Sequence, residues 1–184
     1  MTELSKLLGP FNLQIFELLI AENASVRELA KKAKCSPAKI IQFIDLYSKN
    51  RFIYVQKDEN RKIISLNKSN PLVKEIITLI YTNKVLDCKA FSALKKVSDS
   101  IGLYGSVTEG TVDKQSDIDL WAVSGSKKRI AEAGKLRQQF TNELGREVNL
   151  KFYTPQDILN LKEKDRIFYN ELENKSKILH GDSF

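Results

Sequence analysis

The sequence predicts an α+β protein in two parts, a mainly helical first part closed by a β-hairpin and a second part built on a small mixed sheet. Three observations point there. Up to Asn50, apolar residues recur at helical spacing behind residues suited to start helices. Two short β-like runs follow, joined by a polar turn. From Ile101 onward, strand-like apolar runs alternate with helical stretches.

Phe11–Ala21 places Phe11, Ile15, Leu18 and Leu19 on one helical face. Ser25 caps a short helix, Val26–Ala33, and Glu28 stands three residues on as its capping-box partner. After Lys34-Cys35, Ser36-Pro37 is a cap followed by proline at the first helical position. That third helix carries Ile40, Ile41, Phe43, Ile44 and Tyr47, and Asn50 stops it. Phe52–Gln56 and Lys62–Leu66 are the β-like runs, with Lys57–Arg61 between them.

Helix, helix, turn, helix and hairpin resembles a winged helix-turn-helix domain, here residues 1–70. The resemblance implies DNA as partner, with the third helix in the major groove and the hairpin tip on a neighbouring backbone. Ser36, Lys39 and Gln42 are then candidate base or phosphate contacts. Lys31, Lys32, Lys34, Arg61 and Lys62 are candidate phosphate contacts, which position without reading sequence. The competing readings are a protein-docking module and a merely solvated lysine-rich surface.

Pro71 marks a boundary, and residues 71–90 form a linker. Pro71–Tyr81 reads as one helix and Val85–Val97 as another. The first is apolar enough for either a homodimer seam or burial against its own chain, and both stay open.

The most informative stretch is Ile101–Val123, IGLYGSVTEGTVDKQSDIDLWAV. An apolar run ends in Gly105-Ser106, and Asp117-Ile118-Asp119 opens the next run after a polar, turn-rich segment. Residues two apart in a strand share a face, roughly 6–7 Å apart, so Asp117 and Asp119 project together beside the Gly-Ser turn. Mg2+ takes oxygen ligands, usually one or two carboxylates plus substrate phosphates. A glycine lets a backbone approach a phosphate closely.

Gly105-Ser106, ten residues, then Asp117-x-Asp119 within a strand resembles the signature of the DNA polymerase β-like nucleotidyltransferases, closest to the minimal ones, over residues 91–184. The resemblance implies a nucleotidyltransferase domain with Mg2+ as cofactor, a nucleoside triphosphate such as ATP as substrate and a hydroxyl as acceptor. On this reading Gly105 and Ser106 bind the nucleotide, Asp117 and Asp119 hold metal, and a third carboxylate comes from a later strand. The matching segment, Arg146–Phe152, has Asn149 where the family pattern wants an acid, leaving Glu147 as the candidate third catalytic acid. An amide cannot act as a base. Three functions follow as expectations: nucleotidyl transfer to a small molecule or to a protein such as a partner toxin, as an antitoxin-like enzyme would; a regulator that only senses nucleotide; and a DNA-binding scaffold. Lys127, Lys128 and Lys151 are further candidates to neutralise triphosphate.

In the second part, a helix is expected from Ser126 to Leu144, ended by Gly145, then the Arg146–Tyr153 strand. Thr154-Pro155 opens a helix to Glu173, and Lys177–Leu179 adds an edge strand. Charge is uneven: residues 1–70 carry 12 basic and 7 acidic side chains, whereas residues 101–184 carry 13 of each. A positive first third is what a polyanion-binding part needs. Cys35, Cys88 and His180 are too few for a zinc site or a disulfide framework. With no apolar run near ~20 residues and no signal-peptide pattern at the start, a cytoplasmic protein with no membrane partner is expected.

Overall fold

A computed structural model describes residues 8–58, 61–126 and 134–183. The chain forms two compact units. The first runs to Ile80 and includes Gly110–Lys114; the second comprises Tyr81–Glu109 and the chain from Gln115.

The first unit begins with α1 (Pro10–Ala21), β1 (Ala24–Ser25), α2 (Val26–Lys32) and α3 (Pro37–Lys49). The capping box forms as the sequence predicts: Glu28 N–H donates to Ser25 Oγ (3.4 Å) and Ser25 N–H to Glu28 Oε2 (2.7 Å). Ser36 Oγ accepts from Lys39 N–H, with Pro37 opening α3. Strands β2 (Ile53–Asp58) and β3 (Arg61–Leu66) pair antiparallel from Ile53↔Leu66 to Asp58↔Arg61. The paired strands therefore extend further towards the hairpin tip than the sequence predicts. The two-residue β1 pairs with β3 and gives the order β1-β3-β2. Its length is too short for a period to register. Phe16 is the hub of the core, with Tyr47 edge-on at 4.9 Å, Phe43 at 5.7 Å and Phe52 at 6.4 Å between ring centroids. Burial pushes the Tyr47 hydroxyl up to about 12 although the Asn12 side chain hydrogen-bonds it. Three helices with a two-stranded hairpin make this unit a winged helix. Val112 is buried within it, its carbonyl accepting from Lys68 Nζ at 2.6 Å.

Helix α4 (Pro71–Asp87) is longer than the expected Pro71–Tyr81, and the break before α5 (Lys89–Lys95) falls at Cys88. Extended backbone at Cys88 (φ −68°, ψ 139°) ends the helical run. Nothing in Thr82–Lys84 resists a helix, so the periodicity continues through it.

The second unit is built on β4 (Ser100–Tyr104), β5 (Ile118–Val123), β6 (Val148–Tyr153) and β7 (Lys177–His180), in the order β6-β5-β4-β7. β4 runs antiparallel to β5 and β7, and β5 parallel to β6, so the sheet is mixed. Helices α6 (Leu136–Leu144), α7 (Pro155–Lys164) and α8 (Arg166–Lys175) complete the unit. Part of the helix expected to start near Ser126, residues 127–133, lies outside the described residues, as do Lys127 and Lys128. Gly145, at φ +64°, ends α6 as expected. The single helix expected to Glu173 divides at Asp165, whose side chain accepts from Phe168 N–H and starts α8 anew.

One sheet face carries Tyr104, Trp121 and Val123, packed with Ile158, Tyr169 and Leu172 and flanked by Tyr153, Leu161, Phe168 and Ile178. Trp121, fully buried, lies over Gly102 and donates from Nε1 to Ser176 Oγ at 2.9 Å. Alternation sends Ile101, Leu103, Ile118 and Leu120, all buried, to the other face. Among the described residues no helix is long and apolar enough to cross a membrane.

Candidate nucleotide site and basic helix face

The site lies where β4 ends and its antiparallel neighbour β5 begins. After Tyr104 the chain turns through a 3-10 helix, Gly105–Val107, with Gly105 at φ +72°. This left-handed backbone favours glycine. The turn is closed by Thr108, whose N–H and Oγ1 both donate to the Gly105 carbonyl (3.1 and 2.9 Å). Asp119 Oδ2 lies 2.7 Å from where a Cβ on Gly105 would stand. The missing side chain thus lets the turn and the carboxylate approach closely.

Register places Tyr104, Asp119 and Asn149 side by side across β4, β5 and β6. Cross-strand partners share a face. Asp119 is half-buried and Asp117, one residue ahead of β5, is exposed. Burial holds the Asp119 carboxyl above its ordinary value, with the Asp117 charge adding; the Asn149 hydrogen bond and the Lys151 charge oppose the rise. Arg146 Nη1 donates to the Ser116 carbonyl at 2.8 Å and steadies the entry to the acidic pair.

The predicted residues do not all converge. Gly105 and Asp119 come together, with Ser106 next in the turn and Asp117 near enough for its charge to act on Asp119. Glu147 does not join them: its carboxylate pairs with Arg137 Nη2 at 3.0 Å, and its carbonyl accepts from Ile118 N–H. Asn149 does reach the site, where its Nδ2 donates to Asp119 Oδ1 at 3.1 Å. A carboxylate only accepts, so the amide nitrogen faces it. Among the described residues no group of three or more acids, histidines or cysteines is placed to hold a metal. Two carboxylates suit a Mg2+ carried in on nucleotide phosphates rather than an all-protein cage.

The sequence named Lys151 as a candidate but not the rings that hold it beside Asp119. Lys151 Nζ lies 4.4 Å from the Phe168 ring centre and 5.8 Å from that of Tyr104. The two rings meet edge-on at 6.1 Å. Burial, then the Asp119 charge, holds the Tyr104 hydroxyl far above its ordinary value, and its buried Oη has no hydrogen-bond partner among the described residues. Period-two spacing from Asn149 was the available signal for Lys151; nothing local marked Phe168.

The sequence profile of the polymerase beta nucleotidyltransferases matches residues 87–183, just over half of the chain. The chain belongs to this nucleotidyltransferase family. The site described above falls within the matched region. Comparison with curated proteins finds no match. Among solved structures, reduced HlyU from Vibrio cholerae is similar at 20% identity and a TM-score of 0.39, over 47% of this chain and 85% of that one. NolR from Sinorhizobium fredii is similar at 18% identity and a TM-score of 0.39, over 46% and 79%. The winged-helix assignment rests on the element order of the first unit.

In that unit Lys31, Lys32, Ser36, Lys39, Gln42, Arg61 and Lys62 are all exposed. They lie on α2, the start of α3 and β3. Lys32 pairs with Glu22, and Lys39 Nζ sits 4.0 Å over the Phe11 ring, so both have partners within the unit. Ser36 already serves as the α3 cap.

Proposed function

We propose that this nucleotidyltransferase-family chain binds DNA through its winged helix and binds a Mg2+–nucleoside triphosphate at Gly105, Ser106, Asp117 and Asp119. The observation that carries the reading is the approach of Asp119 to the Gly105 turn, with the Asp117 charge acting on Asp119. Amides and a hydroxyl at the turn suit phosphate oxygens, and the paired carboxylates suit the accompanying cation. The exposed basic residues of α2, α3 and β3 support the DNA part, because phosphate neutralisation supplies most sequence-independent affinity.

Mg2+, when bound, would polarise the phosphates held by this turn. Nucleotide sensing is favoured over rapid transfer, because Asn149 occupies the third position as a hydrogen-bond donor and Glu147 is engaged by Arg137. Transfer of a nucleoside monophosphate to a protein or small-molecule hydroxyl is the second reading, favoured by the retained pair Asp117 and Asp119.

Incubation with labelled ATP and Mg2+, with and without Asp119→Asn, separates the two. Label that requires Asp119 selects transfer; thermal stabilisation by ATP and Mg2+ without label selects sensing. Absence of both refutes the nucleotide site. Binding to a fluorescent duplex must fall steeply with salt, and a flat dependence refutes the DNA assignment.

A further inference from the structure

Asn149 and Lys151 give the face around Asp119 a charge pattern of its own. Both stand on β6 two residues apart, and Asn149 pairs with Asp119 in the strand register. Asn149 Nδ2 occupies Asp119 Oδ1 (3.1 Å), while Oδ2 faces the Gly105 turn. An amide spent in this way adds no negative charge for a cation. Glu147, the nearest acid along β6, is spent on Arg137. Two divalent ions side by side need bridging anionic oxygens, and the described residues bring only Asp117 and Asp119.

The positive charge that such a second ion would contribute has a fixed substitute. Lys151 Nζ lies over the Phe168 ring at 4.4 Å, where attraction to the ring face holds an ammonium in place. Tyr104, on the same cross-strand row as Asp119, brings a second ring 5.8 Å from the ammonium. An ammonium beside a carboxylate pair suits a multiply charged anion whose counter-ion those carboxylates bind.

We propose that this site takes one divalent ion with its nucleotide, and that Lys151, held over Phe168 beside Tyr104, contacts the nucleotide phosphates in place of a second ion. The inference rests on nucleotide binding at the Gly105 turn and adds its ion stoichiometry and its phosphate-contacting cation.

The test uses the full chain, Mn2+ counted by electron paramagnetic resonance, and the non-hydrolysable α,β-methylene analogue of ATP. The wild-type chain binds one Mn2+ in the presence of the analogue. Lys151→Met keeps the aliphatic stem over Phe168 and weakens the analogue by about tenfold to a hundredfold, the range of a hydrogen bond to a charged group. Lys151→Arg restores most of that loss, and both variants melt cooperatively. Asn149→Asp adds the missing acid and raises the count to two. Two ions per wild-type chain, unchanged analogue affinity in Lys151→Met, failure of Lys151→Arg to restore it, or a single ion in Asn149→Asp each overturn the proposal. Wild-type protein that binds neither Mn2+ nor analogue refutes the underlying nucleotide reading itself, an outcome distinct from those four.

Discussion

Replacing Gly105 by alanine separates the conformational cost of the turn from its role in the site. A non-glycine residue in left-handed backbone costs about 1–2 kcal/mol. For a chain of this length that lowers the melting temperature by roughly 2–8 °C. The new Cβ would also stand 2.7 Å from Asp119 Oδ2 and 3.4 Å from its Cγ. Asp119 cannot yield without cost, because Asn149 holds its other oxygen at 3.1 Å. Rotating the carboxylate away forfeits that hydrogen bond to a charged group, about 1.5–3 kcal/mol, and moves the acid out of line with Asp117. Gly145→Ala is the matched control, since Gly145 has φ +64° but nothing within 4 Å of an added Cβ. Both variants are expected to melt lower than wild type. Only Gly105→Ala is expected to lose the thermal shift given by ATP and Mg2+, read by circular dichroism or dye fluorescence. A normal nucleotide shift in Gly105→Ala, or an equal loss in Gly145→Ala, would refute the close-approach argument.

Other perturbations probe the second unit. At Gly102 a Cβ would lie 2.2 Å from the Trp121 ring, so Gly102→Ala should lose at least the ~1–3 kcal/mol of ordinary overpacking, with partial recovery in Gly102→Ala/Trp121→Phe by denaturant titration. Glu143 caps α5 from a distance, its Oε2 accepting from Lys89 N–H at 2.6 Å. The Gln139 amide first, with the Lys89 and Ala90 backbone N–H groups, holds its carboxyl below the ordinary 4.5 against the opposing effect of burial. A lowered carboxyl stabilises above the unfolded-state value and loses that effect as pH falls through the folded one. Wild type should therefore melt above Glu143→Gln at pH 7, with the gap closing in acid; a gap that widens in acid contradicts the capping role. Burial, then the Glu143 charge, pushes the Cys88 thiol up to about 11, leaving roughly one thiolate in a thousand at pH 8. A maleimide should therefore modify Cys88 only on unfolding, and mass spectrometry of peptides reads that directly.

Local signals carried far. Ser25 with Glu28, Ser36 with Pro37, and Thr154 with Pro155 mark helix starts that form where they stand, because a cap and its partner lie within one turn. Apolar runs marked β4 and β5, alternation marked β6, and the spacing from Gly105-Ser106 to Asp117-x-Asp119 pointed to the family. Boundaries were less legible. Thr82–Lys84 read as a gap because nothing local favours either state, and the Asp165 break was hidden inside a helical pattern that continues on both sides.

By itself the sequence determined most of the order of elements, the winged-helix and mixed-sheet layouts, and the glycine turn followed by two aspartates. Each depends on spacing along the chain, which backbone geometry converts directly into a face or a cap. Tertiary structure alone decided what stands beside those aspartates. Parallel pairing of β5 with β6 sets Asn149 against Asp119, Arg137 claims Glu147, and the start of α8 carries Phe168 under the Lys151 ammonium. Those partners lie many residues apart in the chain, so strand register and helix packing, rather than any local pattern, fixed the charge that the site presents.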